Sequence, residues 1–268
     1  MVLVSLLHGS APALSQPALT AATILDANRA ASGGATVPAT IETEYAYSGS
    51  GLTDTMHSMT DRMTGAYVDR YVIGPSRGAS GFDGQRAWMQ DISGAYTPQD
   101  GGDRRQVAVN EAYRNANRWW RADRGGARIE RVGRETVDNS EAEHLRVTPR
   151  GGKVFDAWFD AATHHLVRVD EMQQFPHAIS SLRDYAHEQG MAVAHTITVD
   201  SGTGPAGVET MRLTRLAIGP ARPITAYAMP AWKPTDAAIK GGATETTVPI
   251  RLANNHIFVD VFVNGNGP

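Results

Sequence analysis

Alternation with a period of two runs through most of the chain and constrains its fold more than any other feature. Between Thr40 and Tyr47, aromatic and β-branched residues alternate with Glu42, Glu44 and Ala46. Because successive side chains of a strand point to opposite faces, this pattern predicts a strand with one buried face. Similar stretches, separated by short glycine-containing turns, follow near 52–63, 66–73, 77–82 and 85–92.

The alternation returns after residue 127 and continues to about residue 218. Residues 195–199 and 208–215 alternate on either side of a polar turn, which predicts a hairpin. About ten strands in up-and-down order fit a strongly curved antiparallel sheet or an open half-barrel better than a sandwich. We therefore predict a mainly β (α+β) fold with one or two helices that cover the sheet.

Two stretches have helical periodicity instead. In the first, Ala18, Ala21, Ala22 and Leu25 recur at helical spacing, and Gly33-Gly34 marks the end. The second runs from about Asp103, a residue type that caps helices, to Asn117. Its apolar stripe comprises Val109, Ala112, Tyr113, Ala116 and Trp120. This stripe predicts that the helix packs on the sheet.

Composition excludes several classes of function. The 25 basic and 28 acidic residues are interspersed and give a net charge of −3, so no basic surface for nucleic acid is expected. The chain has no cysteine, which excludes disulfides, thiolate metal sites, a cysteine nucleophile and an acylated cysteine anchor. No later segment reaches the roughly 18 apolar residues that a membrane-spanning helix needs.

The chain divides into four predicted parts. Residues 1–17 contain the apolar run Val2–Leu7 followed by small residues, and we interpret them as a signal-peptide remnant, with a frayed terminus as the alternative. Residues 18–230 form the main domain, and 231–245 form a linker rich in proline, glycine and alanine. Residues 246–268 contain two further strands joined at Asn254-Asn255. An export signal predicts a periplasmic or secreted protein.

The final segment resembles the beginning of bacterial retropepsin-like aspartyl proteases. The residues concerned are Thr246–Leu252, Asn255–Val261 and Val263–Pro268. In that family an Asp-Thr-Gly motif follows the next strand, and this sequence ends before it. The resemblance implies an incomplete second domain and a downstream peptidase domain as a partner. Because aspartic proteolysis needs two carboxyl groups that share a proton, the chain as given is not expected to be an enzyme.

Residues 18–230 resemble, more diffusely, outer-membrane lipoprotein-sorting proteins. The likeness lies in Gly81–Trp88, in Val147-Thr148-Pro149 with Gly151-Gly152, and in Trp158–Thr163. It implies a bacterial protein with an unclosed β-barrel that holds acyl chains in an apolar hollow. The implied partner is a hydrophobic ligand, a lipoprotein or a peptide segment, and no cofactor is implied.

Aromatic and aliphatic residues on the middle strands are the candidate ligand contacts. These are Trp88, Tyr96, Phe155, Trp158, Leu166 and Met172. A curved sheet with a thin helical cover can leave an apolar pocket among such residues. The alternative is a filled core, because aromatic residues at strand spacing are core by default.

Candidate catalytic residues are few. Val199-Asp200-Ser201-Gly202 matches the aspartic-peptidase pattern, but the polar residues after it favour a hairpin turn, so Asp200 is a weak candidate. Asp156 and Asp160 share a strand face, as a glycosidase pair could. His164 and His165 are expected on a strand with opposite orientations, which disfavours a metal site. No serine-hydrolase elbow or phosphate-binding loop occurs.

Three hypotheses follow. The first is a non-catalytic, exported binding module that serves a peptidase domain. The alternative is an aspartic endopeptidase, completed downstream or by Asp200. The third is a structural or inhibitory pro-region that docks on a partner.

Overall fold

One antiparallel sheet of thirteen strands forms most of the main domain. In this computed structural model the described residues are 19–34, 37–74, 76–173, 177–232, 240–243, 245–254 and 256–260. The predicted signal-peptide remnant lies outside them. The strands of the sheet are β1 Thr40–Gly49, β2 Leu52–Asp61, β3 Tyr67–Ile73, β4 Ser76–Phe82, β5 Ala87–Gln90, β6 Tyr96–Pro98, β7 Arg128–Val137, β8 Ser140–Thr148, β9 Phe155–Asp160, β10 Leu166–Met172, β11 His177–Glu188, β12 Met191–Asp200 and β13 Val208–Gly219.

The strand order shows why the sheet stays open. It runs β6-β5-β4-β3-β2-β1-β13-β12-β11-β10-β9-β8-β7, so two meanders join where the first strand pairs with the last. Strands β6 and β7 form the two edges and do not pair with each other. The predicted half-barrel is confirmed, with more strands than the predicted ten.

Two α-helices cover the sheet, α1 Ala21–Ala31 and α2 Gly102–Asn115. Thr20 begins α1 with a capping box in which its hydroxyl and that of Thr23 each accept a backbone N–H. The prediction that Asp103 caps α2 is wrong. Gly101 is the cap residue and Asp103 lies in the first turn, where its carboxylate is 3.3 Å from Lys153 Nζ. There it still favours the helix N-terminus electrostatically.

The filled core lies between the helices and the strands β8–β10. Its buried side chains are Ile24, Leu25, Tyr113, Trp119, Leu145, Val147, Phe155, Ala157, Phe159 and Val169. Trp119 belongs to a short 3₁₀ turn, Arg118–Trp120, that follows α2. Its ring meets the Phe159 ring edge-on at 5.8 Å between centroids. Aromatic contacts of this kind fix the cover on one end of the sheet.

The opposite face of β2–β5 is covered by the segment that follows β13. Tyr227 in this segment is fully buried and packs with Trp88, Val68 and Ala79. The Trp88 indole donates to the Tyr227 carbonyl oxygen at 2.9 Å. Residues up to about 228 therefore pack against the sheet and belong to the main domain.

A close backbone approach joins α2 to the turn between β2 and β3. Gly65 has φ +79°, and a Cβ atom at this residue would lie 2.0 Å from the Ala112 carbonyl oxygen of α2. Only glycine permits both the left-handed conformation and this distance. The turn therefore sets how closely the helix approaches the sheet.

The prediction that His164 and His165 lie on a strand is wrong. Both precede β10, and His164 has φ +61° at the end of a turn.

The chain clusters into two compact units, 1–230 and 231–268. The second contains a two-stranded antiparallel sheet, β14 Arg251–Ala253 and β15 His256–Phe258, near the predicted hairpin. Asn255 and residues 233–239, 244 and 261–268 lie outside the described part of the chain.

Candidate ligand cavity

A cavity of about 380 Å³ lies between the inner face of the sheet and its helical cover. Strands β1, β2 and β10–β13 contribute its walls, and the ends of α1 and α2 with the following 3₁₀ turn contribute its roof. Its volume falls within the roughly 300–1,000 Å³ typical of ligand pockets. The main domain is thus filled at one end and hollow at the other.

One wall of the cavity is apolar. It is formed by Leu166, Val169, Leu182, Met191, Ile197 and Leu216. Trp119 and Trp120 reach it from the roof. Trp120 is fixed by an indole N–H that donates to the Asn28 side-chain oxygen at 2.7 Å, and Asn28 is itself buried. This wall can accept an aliphatic chain.

The polar row of the cavity lies on β2. Ser58, Thr60 and Arg62 follow one another at every second residue of β2 and the turn after it, whereas the neighbouring β1 contributes Thr43 between Ile41 and Tyr45. Residues two apart share one face of a strand, so these side chains form a single row. The cavity therefore has an apolar side and a hydrogen-bonding side.

Two tyrosines line the cavity as neutral phenols. Tyr185 donates its hydroxyl to the Leu166 carbonyl oxygen at 2.6 Å, and burial raises its pKa. Burial also raises the pKa of Tyr45. The desolvated phenolate is disfavoured in both cases, so neither ring brings charge to the cavity at neutral pH.

Buried carboxyl groups lie beside the cavity under α2. Glu111 lines the cavity and contacts the carboxyl group of Asp69 on β3. Burial, followed by the neighbouring Glu111, raises the pKa of Asp69 well above its usual value. Burial also raises the pKa of Glu111, although Arg114 opposes this effect. Two carboxyl groups this close favour sharing a proton.

Arg114 is the cation of this buried group. Its Nη1 lies 2.9 Å from Glu171 Oε2, and Glu171 is 3% exposed. The Asn110 side-chain amide donates to the other oxygen of Glu171. The charge of Arg114 is therefore balanced inside the protein.

Arg62 differs from Arg114. Its Nη1 donates to the Asn115 carbonyl oxygen at the end of α2, while its buried Nε has no hydrogen-bond acceptor among the described residues. Burial lowers the pKa of the guanidinium to about 10. The group stays protonated at neutral pH despite this cost of desolvation.

The six predicted ligand contacts lie in different places. Leu166 lines the cavity. Phe155 is in the filled core, and Trp88 packs with Tyr96 on the face covered by Tyr227. Trp158 faces away from the Phe155 side, and Met172 is 37% exposed at the end of β10.

The candidate acids have local structural partners. Asp200 accepts the Gly202 backbone N–H at 2.7 Å, as expected for the predicted turn between β12 and β13. Asp160 accepts backbone N–H groups of the turn before β10 at 3.0 and 2.6 Å. Asp156 contacts His144 Nε2 at 2.8 Å and Arg146 Nε at 3.0 Å. Different partners thus hold the Asp156 and Asp160 carboxylates.

His144 is held by two carboxylates and an aromatic ring. Its Nδ1 lies 2.8 Å from Glu135 Oε1, and its ring stacks on Trp158 with centroids 4.3 Å apart. The hydrogen bond from His144 lowers the pKa of Glu135. Within the described ranges no group of three or more histidine or acidic side chains could hold a metal ion.

The sequence analysis missed most of the apolar wall, including Leu182 and Ile197, and all of the small and polar contacts. For the polar row on β2 there was a usable pattern in the sequence. The signal was present, because Ser58, Thr60 and Arg62 continue the two-residue period of the strand predicted near 52–63. A search restricted to large apolar residues passes over this row. Helices of the described part of the chain are too short or too polar to span a membrane.

An open antiparallel half-barrel with helices over its hollow defines the structural class of the main domain, and solved structures share it. A LolA superfamily protein from Nitrosomonas europaea matches with a TM-score of 0.52 and 12% identity, over 79% of this chain and 98% of that one. A DUF1329 family protein from Desulfovibrio piger matches with a TM-score of 0.50 and 11% identity, over 76% and 95%. These likenesses establish the fold alone. No family model and no curated protein matches the sequence.

Proposed function

We propose that the main domain is a non-catalytic binding module that takes up a hydrophobic ligand, an acyl chain or a lipoprotein segment, in its cavity. The observation that carries this proposal is the cavity of about 380 Å³ with its apolar wall. Without a ligand this wall is exposed to water, whereas each methylene of a bound chain that covers it contributes about 0.8 kcal/mol. The LolA-like fold supports the same function by analogy.

The proposal includes an exported, periplasmic or secreted location. It rests on the signal-like first residues and on the resemblance to lipoprotein-sorting proteins. We also propose that the last residues begin a retropepsin-like domain and that the binding module serves this peptidase. The hairpin β14–β15 agrees with such a beginning. An Asp-Thr-Gly motif encoded shortly after Pro268 would test this connection.

The binding function can be tested with delipidated protein and cis-parinaric acid, whose fluorescence rises in an apolar site. We expect saturable binding that unlabelled dodecanol displaces, because the apolar wall requires only an aliphatic chain. Absence of saturable binding for both compounds would refute the proposal. A parallel assay for acid-range peptide cleavage tests the alternative, which predicts activity that Asp200→Asn abolishes.

A further inference from the structure

Arg62 holds the cavity's unbalanced charge. Its side chain belongs to the same polar row as Ser58 and Thr60. No carboxylate of the described residues forms an ion pair with it, whereas Arg114 is paired with Glu171. A buried cation without an anion is costly, so proteins normally pair such groups or use them to bind ligands.

The guanidinium of Arg62 also has hydrogen-bonding capacity that the described residues leave unused. Its Nη1 donates to the Asn115 carbonyl oxygen, while its buried Nε has no acceptor in the described part of the chain. The great majority of buried donors are satisfied, so this group can take a further acceptor. A guanidinium binds carboxylate and phosphate oxygens especially well.

The acidic groups beside the cavity already have partners within the protein. Glu111 contacts the carboxyl group of Asp69 and lies near Arg114. Arg62 is therefore the lining cation that no described carboxylate neutralises. The ligand's chain is accommodated by the apolar wall, which includes Leu182 and Ile197.

We propose that Arg62 binds the anionic head group, carboxylate or phosphate, of an amphiphile whose aliphatic chain lies along the apolar wall of the cavity. This inference rests on the proposed function, because it assumes that the cavity binds a chain. It adds the chemical class of the ligand. A structural role alone, the hydrogen bond from Arg62 to Asn115, would not discriminate between head groups.

The experiment compares four ligands with the same chain length: laurate, dodecyl phosphate, dodecanol and dodecyltrimethylammonium. Binding to delipidated protein is measured by displacement of a neutral fluorescent probe, below the critical micelle concentrations. We expect laurate, dodecyl phosphate or both to bind about ten- to a hundredfold more tightly than dodecanol, the range for a charge-assisted hydrogen bond. The tighter anion identifies the head-group chemistry.

Substitutions at Arg62 separate charge recognition from packing. Arg62→Met should bring the anions to the affinity of dodecanol without changing dodecanol binding, while Arg62→Lys should keep most of the preference. The matched control is Arg77→Met, at an exposed residue of β4, which should behave as wild type. Thermal melts confirm that each variant is folded.

Two results would overturn the inference while leaving the proposed function intact. One is equal binding of the anions and dodecanol by wild type; the other is an equal loss for all ligands in Arg62→Met. If none of the four ligands binds, the proposed function itself fails.

Discussion

Filling the cavity from β11 should strongly weaken ligand binding without unfolding the domain. Ser180 lines the cavity, whereas its neighbour Ser181 lies on the other face of the strand. A phenyl ring needs a space of about 150 Å³, so Ser180→Phe would take roughly two fifths of the 380 Å³ cavity. A twelve-carbon chain would lose room for about five methylenes, or about 4 kcal/mol at about 0.8 kcal/mol each. This corresponds to an affinity loss of about 800-fold.

The assay is dodecanol displacement of a fluorescent acyl probe, together with urea unfolding of each variant. We expect Ser180→Phe to be at least as stable as wild type, because the ring occupies space that is already open. Ser181→Phe adds the same ring to the opposite face and should leave affinity unchanged. Wild-type affinity in Ser180→Phe, or an equal loss in both variants, would show that the ligand does not occupy this cavity.

Two further predictions concern the cover of the cavity and the acids beneath it. Gly65→Ala should lower the free energy of unfolding by clearly more than the ~1–2 kcal/mol that a left-handed alanine costs, because its Cβ would also meet the Ala112 carbonyl oxygen. The control is Gly51→Ala, where φ is +75° and no atom lies within 4 Å, so only the conformational cost applies. Equal losses of the two variants in urea unfolding would contradict the close approach at Gly65. The pKa of Asp69 is raised in the folded state, so the native protein holds this proton more tightly than the unfolded chain does. The resulting contribution to the free energy of unfolding is present below about pH 4 and is lost as the pH rises towards the folded-state pKa. Asp69→Asn should flatten this decline between pH 4 and 7, and an unchanged slope would show that Asp69 is ionised when folded.

Much of the fold could be predicted from the sequence because its determinants are local. The alternation after Thr40 and the turn glycines specify strands and hairpins, and the helical stripe around Tyr113 specifies α2. The pairing of β1 with β13 joins residues about 170 positions apart, such as Thr214 and Glu44, and no local pattern encodes it. The site was harder to predict, because cavity and core share the same two-residue period.

The cavity arises from where small side chains lie on the inner face of the sheet. At the β8–β9 end, Leu145 and Phe155 extend inwards and meet Trp119, so no space remains. At the other end the corresponding inward residues include Thr43, Ser58 and Ser180, whose short side chains cannot reach the helices. A cover held at one end by aromatic contacts and at the other by the Gly65 turn cannot collapse onto them. Short residues among the inward strand positions therefore help to keep this end of the half-barrel hollow, beside larger residues such as Leu182 and Ile197.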